Sequence, residues 1–215
     1  MVGLDSTVEC LACSPLAARL PGRRRRKSVA HLRNRVGVFK RSIPDNIGAA
    51  LVDRGRLAEG VAQIDQAEQE YVRLKTHGGA RGEHELIEAS ALGKAGRGAD
   101  ALRLLVDVLR RKGETGAKVF EAEFQRLLGD LLLAGHNTDT AEVDRAFRTA
   151  IEVARQQGAK SSELRATTSL ARLLAKQGKR DEARAMLAEI YGWFTEGFDT
   201  ADLKDAKALL DELST

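Results

Sequence analysis

Cys10 and Cys13 form a Cys-x-x-Cys pair, a spacing that supplies half of a tetrahedral zinc site or a redox dithiol. The sequence has no second pair, and His31 is a poor substitute for one, so the expected state is an unstructured, reduced pair without metal. Gly113-Glu114-Thr115-Gly116-Ala117-Lys118 is the nearest approach to a phosphate-binding loop. It lacks the adjacent Gly-Lys and a preceding strand, both of which backbone cradling of a phosphate requires, and it reads as a loop between helices. The four histidines, His31, His77, His84 and His136, fall in or near predicted loops and lack the i, i+4 spacing of a helical metal site. No motif sets a Ser, Cys or Lys nucleophile beside a base. The sequence therefore assigns no catalytic, cofactor-binding or metal residue, and the chain is expected not to be an enzyme.

The elements that would have to position any such group are helices. Ala, Leu, Arg and Glu are abundant while aromatics make up 4% of the residues and prolines number three, a composition that favours helix over strand. No run of about 18 apolar residues exists, so no membrane span is expected. Residues 1–20 carry no basic segment ahead of their apolar stretch, the reverse of a secretory signal, and a cytoplasmic chain is expected. The net charge of +4 is unevenly spread. Residues 1–43 hold ten Lys and Arg against Asp5 and Glu9, a net +8, which leaves about −4 for the rest. The basic isoelectric point thus belongs to the N-terminal segment and says little about what the remainder binds.

Internal repetition organises that remainder. Apolar residues recur at helical spacing in Ala101, Leu104, Leu105, Val108 and Leu109, again in Val143, Ala146, Phe147, Ala150, Ile151 and Ala154, and again in Ala183, Met186, Leu187, Ile190 and Tyr191. Leu57, Val61, Ile64, Ala67 and Tyr71 form a weaker copy. Glycine-containing turns precede each stripe at Gly55, Gly96, Gly135 and Gly178, as helix ends in left-handed backbone require. Aligned on these turns, a small residue falls at Gly48, Ala89, Gly129 and Ala171, spaced 41, 40 and 42 residues apart. Leucine follows three residues later at 51, 92, 132 and 174. The second helices place Gly60, Ala101, Val143 and Ala183 four residues ahead of Ile64, Leu105, Phe147 and Leu187. Small residues let paired helices approach, and large ones fill the space between neighbouring pairs.

This order resembles the tetratricopeptide repeat over about residues 44–198. The resemblance implies an all-α, right-handed superhelix of about four hairpins (about 44–80, 81–116, 117–160 and 161–198) with a capping helix in 199–215. The period departs from the usual 34 residues, so helices or connections must be longer. Gly60 inside a helix and the extra residues at 137–140 are further departures. Asp199-Thr200 is a good N-cap for the terminal helix, whose Leu203, Ala206, Leu209 and Leu210 share one face.

A second resemblance is more specific. Tyr191-Gly192-Trp193-Phe194-Thr195-Glu196-Gly197-Phe198-Asp199-Thr200-Ala201-Asp202-Leu203-Lys204, with residues 154–160 (ARQQGAK) and 169–173 (SLARL), is similar to one bacterial family. It looks like the C-terminal tetratricopeptide-like region of signalling proteins in which a cyclase or winged-helix DNA-binding domain precedes a predicted ATPase, over roughly residues 46–213. The resemblance implies a regulatory, protein-binding tail, with a cyclase or ATPase domain as a partner, and not cyclase activity in this chain. Because it begins near Asn46, residues 1–43 are expected to be disordered, and the gene to be a truncated or rearranged remnant.

In such arrays the first helices of the hairpins line the concave face. By that register Glu123, Arg126 and Asp130 should neighbour Arg165, Arg172 and Lys176, a mixed charged groove for a protein or peptide partner. The alternative is a solvated helix face. Tyr191, Trp193, Phe194 and Phe198 are expected to lock the terminal helix onto the fourth hairpin, with a partner-binding hot spot as the alternative. The segment Arg23-Arg24-Arg25-Arg26-Lys27 supports a competing reading, salt-sensitive binding of nucleic acid. Apart from Phe39 it lacks aromatic interleaving, so a protein is the expected partner.

Overall fold

Helix ends in this chain are closed by repeated turn chemistry, and that repetition sets the architecture. A computed structural model describes residues 47–73, 80–111, 117–135 and 139–215. Helical residues 47–53 (α1) are followed by α2 (Leu57–Arg73), α3 (Ala80–Lys94), α4 (Gly98–Arg110) and α5 (Ala117–Ala134). Next come α6 (Thr140–Gln157), α7 (Lys160–Lys176), α8 (Arg180–Tyr191) and α9 (Ala201–Leu213). Gly55, Gly96 and Gly178 adopt φ of 79°, 78° and 80° between α1 and α2, α3 and α4, and α7 and α8. After each glycine the next amide, of Arg56, Arg97 or Lys179, donates back to the carbonyl of Leu51, Leu92 or Leu174 at 2.8 to 2.9 Å. This is the Schellman closure, and the accepting leucines are the ones that recur in the sequence register. At the start of α6 the Asp139 side chain accepts from the Ala141 amide at 2.9 Å, an N-cap.

Consecutive helices pack as pairs, and odd helices also touch in series, α3 with α5, α5 with α7 and α7 with α9. Even helices do not approach one another closely in this way among the described residues, and only the long side chains of Arg148 in α6 and Glu182 in α8 reach across, at 3.3 Å. Two layers result, with odd helices side by side on one face and even helices splayed on the other, so the odd-helix face is the inner face of a right-handed superhelix of TPR-like hairpins. The period of 40 to 42 residues comes from helix length in the later units, where α5 and α6 run to 18 residues each and α7 to 17, and from six-residue connections after α2 and α4 (74–79 and 111–116) in the earlier ones.

Close approach explains the small residues. Ala89, Ala101, Ala171 and Ala183 are no more than 1% exposed, and Gly48, Gly60 and Gly129 are buried. Ile64, Leu105, Phe147 and Leu187 fill the spaces beside them at 0 to 1% exposure. Gly60 within α2 costs about 0.5–1 kcal/mol relative to Ala in helix formation alone. A Cβ there would lie 2.6 Å from the Gly48 carbonyl oxygen, so its role is to let α2 press its backbone against α1.

The terminal helix is held by its own aliphatic stripe. Leu203, Ala206, Leu209 and Leu213 are all buried at 6% or less and join the core of α6, α7 and α8. Full burial of a leucine stabilises by about 1.5–3 kcal/mol. Thr200 occupies the N-cap position, but its hydroxyl donates to the Gly197 carbonyl at 2.7 Å and does not cap the helix, and Asp199 lies one residue outside it. The aromatic segment differs from the sequence expectation more sharply. Trp193 is 57% and Phe198 46% exposed, while Phe194 and Tyr191 are partly buried against the core. Trp193 stacks edge-on with Phe194 at 5.1 Å, and Lys160 Nζ lies 5.7 Å from its ring centre, so the indole rests on the surface between α7 and the α8–α9 connection. An exposed cation–π contact is worth about 0.5–1 kcal/mol. Trp193→Ala should therefore lower the melting temperature by only a degree or two, far less than Leu209→Ala; equal losses in thermal denaturation would contradict this division of labour.

One buried hydroxyl makes no contribution to this packing. Thr167 is 2% exposed in the middle of α7, and among the described residues its Oγ1 has no hydrogen-bond partner. Val has the same shape without the desolvated oxygen, so Thr167→Val should stabilise the chain by about 1 kcal/mol. A lower denaturation midpoint for the variant would show that the hydroxyl is satisfied in solution.

Candidate functional site

Helical periodicity places Glu123, Arg126 and Asp130 on one stripe of α5, and Arg165, Arg172 and Lys176 on the corresponding stripe of α7. Odd helices lie side by side, so the two stripes meet. Arg126 binds Glu123 through Nε at 3.0 Å and Asp130 through Nη1 at 2.5 Å. Arg165 reaches across from α7 to Glu123 Oε1, with Nη2 at 2.6 Å and Nε at 2.9 Å. Its remaining Nη1 donates to Asp202 of α9 at 2.8 Å, so one guanidinium ties three helices. Arg172 turns to the same side and binds Asp205 of α9 at 2.5 Å. Lys176 is exposed at the end of the stripe. A further link, Lys94 to Asp53 at 2.5 Å, joins α3 to α1.

The structure thus unites Glu123, Arg126, Asp130 and Arg165 and turns Arg172 toward α9. Sequence reasoning missed Asp202 and Asp205, which pair with Arg165 and Arg172. The repeat spacing signals other pairs, Asp53 with Lys94 at 41 residues and Glu123 with Arg165 at 42, whereas Arg165–Asp202 and Arg172–Asp205 are 37 and 33 residues apart and fall outside it.

Burial sets the electrostatics of this ladder. Burial by itself would raise the Glu123 carboxyl, but the hydrogen bond from Arg165 and the charges of Arg126 and Arg165 outweigh it and hold the group below its ordinary value. Asp130 goes the other way: burial prevails over Arg126, Ser169 and Arg172, and its carboxyl sits above the ordinary range. Near the start of α7 a second carboxylate, Glu163, has a side chain only 4% exposed, bound by Arg155 at 2.7 Å and Lys160 at 2.8 Å. There too the burial penalty is outweighed by the hydrogen bonds from Arg155 and Lys160, and the carboxyl is held low. A carboxyl depressed in the folded state contributes stability that is present above its unfolded value and is lost as pH falls through its folded value. Asp130, shifted up, opposes this by favouring the folded state on protonation. The carboxyls of Glu59 and Asp100 are held low as well by their arginine partners, so the depressed groups outnumber Asp130 and stability is expected to fall as pH drops below the ordinary glutamate value of 4.5. Glu163→Gln should flatten that acid limb while lowering stability at neutral pH; an unchanged pH profile in thermal denaturation would refute the assignment.

Above the N-terminal part of the ladder, the inner face opens into a depression of about 230 Å³ between α1, α3 and α5. Val52, Leu86, Ile87 and Leu127 line it with Ala49 and Ala91, and Ser90, Lys94 and Arg126 are its polar lining residues.

No described group of three or more His, Cys, Asp or Glu is placed to hold a metal ion. Cys10, Cys13, His31, His77, His136 and the basic residues of 1–43 lie outside the described residues, as do residues 113–116 of the phosphate-loop-like motif. Its last two residues, Ala117 and Lys118, begin α5. His84, which the sequence placed beside a loop, is 3% exposed within α3, its Nε2 3.8 Å from the Glu88 carboxylate. Among the described residues no helix is long and apolar enough to cross a membrane.

Comparison with known proteins agrees with the architecture. A tetratricopeptide-repeat family model matches residues 164–190, which span most of α7 and α8. Two crystal structures of the nearly identical TPR-like repeats of a kinesin light chain-type protein from Podosopora anserina superpose with TM-scores of 0.61 and 0.60. Each shares 16% identity with this chain and covers 79% of it, and the match spans 82% and 83% of those chains. At that identity the likeness concerns the fold. No curated protein matches the sequence.

Proposed function

We propose that this chain is a non-catalytic protein-binding module whose inner, odd-helix face receives a partner. One observation carries the reading: the odd helices stand side by side and present the partly exposed side chains of Arg126, Asp130, Arg165, Arg172 and Lys176 on a single face. A stack of this kind offers an extended concave surface in place of an enclosed active site. The resemblance of residues 46–213 to the tails of cyclase and winged-helix regulators supports a finer reading, in which the module regulates signalling and the partner is a cyclase or ATPase domain.

A photo-crosslinking residue at Ser169, on the inner face of α7, should capture a partner that the same residue at Arg184, exposed on α8, does not. Equal capture from both positions would move the binding surface off the inner face. For the finer reading, the purified chain should co-elute with the cyclase or ATPase domain of a resembling bacterial protein. Separate elution would remove the named partner. Nucleotide turnover by the purified chain with a divalent metal would overturn the non-catalytic reading itself.

A further inference from the structure

An ion-pair ladder runs along the inner face. Pairs join α1 to α3 through Asp53 and Lys94, α5 to α7 through Glu123 and Arg165, and α7 to α9 through Arg165–Asp202 and Arg172–Asp205. The depression between α1, α3 and α5 lies on the same face. Its volume of about 230 Å³ falls below the range of about 300–1,000 Å³ that small-molecule and cofactor sites occupy. Space of that size, floored by Val52, Leu86, Ile87 and Leu127, suits one apolar side chain. The charged residues lining it are both cations. Lys94 is 54% exposed and its pair with Asp53 is solvated, so little holds it there. Arg126 uses Nε and Nη1 within α5, and among the described residues its Nη2 has no acceptor.

We propose that this depression is the anchor pocket of the inner face. It takes one aliphatic or aromatic side chain of a protein partner, and an adjacent Asp or Glu of that partner pairs with Lys94 and Arg126. The inference rests on the inner face being the partner-binding face and adds the chemistry of what is bound. A buried apolar anchor ringed by charge-assisted contacts is the arrangement in which a few residues carry most of the affinity.

The test uses the whole chain as bait for a phage-displayed library of random short peptides. Enriched sequences should place an apolar residue beside Asp or Glu. A synthetic copy of one, followed by fluorescence anisotropy, should bind Lys94→Glu at least about tenfold more weakly, a step of 1.4 kcal/mol. It should lose binding to Ser90→Trp, which fills the pocket from α3, and retain it with Ser169→Trp on α7. Circular dichroism checks that each variant is folded, and Lys94→Glu, at an exposed position, carries the test alone should Ser90→Trp unfold. Enriched peptides that are basic, peptides that bind Lys94→Glu as they bind the parent chain, or no enrichment would each overturn the pocket. Peptides lost on Ser169→Trp but kept on Ser90→Trp would also overturn it, while leaving the inner face as the binding face.

Discussion

Gly129→Ala should destabilise the array by about 2 kcal/mol net, although alanine is the better helix former. A Cβ at position 129 would stand 2.5 Å from Cε1 and 2.7 Å from Cδ1 of Phe147. The Phe147 ring is 0% exposed and packed within the core of α6, α7 and α8, so it has no solvent side to retreat to. Overpacking of this kind costs about 3 kcal/mol at the upper end of its usual range, offset by about 1 kcal/mol of helix propensity. For a chain of this size the result is a melting temperature lower by about 4 to 8 °C. The mechanism makes a sharper claim than the loss itself. In a double-mutant cycle, Phe147→Leu should be less damaging in the Gly129→Ala background than in the parent, with a coupling of about 1 kcal/mol or more. Gly98→Ala is the control, since a Cβ there meets nothing within 4 Å, and it should be neutral or slightly stabilising. Additive effects of the Gly129 and Phe147 changes would show that the glycine serves something other than ring clearance.

Arg165→Glu should cost about 3 kcal/mol and loosen α9 first. The substitution removes the bonds to Glu123 and Asp202 and sets a third carboxylate between two others, an arrangement that costs several kcal/mol where solvent is excluded. Solvent screening reduces the figure here, because Arg165 is 35% exposed and Asp202 41%. Hydrogen exchange should show α9 amides losing protection ahead of those of α7, and adding Asp202→Arg should recover part of the loss. An unchanged denaturation midpoint, or protection lost evenly along the chain, would refute the three-helix tie. The prediction also bears on binding experiments. Charge reversal at Arg165 or Arg172 perturbs the docking of α9, so a lost partner in such a variant reports folding as much as contact. Lys94 and Lys176, exposed on the same face, are cleaner probes.

Much of the architecture was legible in the residues. Positive-φ glycines terminate helices because other residues meet a Cβ clash there, and Gly55, Gly96 and Gly178 do so in the structure. Small residues recurring every 40 to 42 positions exposed the pairing of helices, since backbones approach closely only where side chains are short. Those signals are local, or repeat at a fixed spacing, and so survive in one dimension. Other features were not legible, for a common reason. Gly60 reads as a defect of α2 until Gly48 is seen against it, because a close approach belongs to two helices. Trp193 belongs to an aromatic cluster by sequence, yet a turn after α8 directs it to solvent, and composition does not encode direction. The charges of α5 and α7 read in sequence either as a partner groove or as a solvated helix face, and neither reading shows that Asp202 and Asp205 of α9 reach Arg165 and Arg172. The sequence by itself determined the helices, their turns and the order in which they stack, because backbone conformation and apolar periodicity are written residue by residue. Only the tertiary structure decided which charges are spent inside the stack and where the inner face opens into an apolar depression, because both depend on which side chains meet across neighbouring helices.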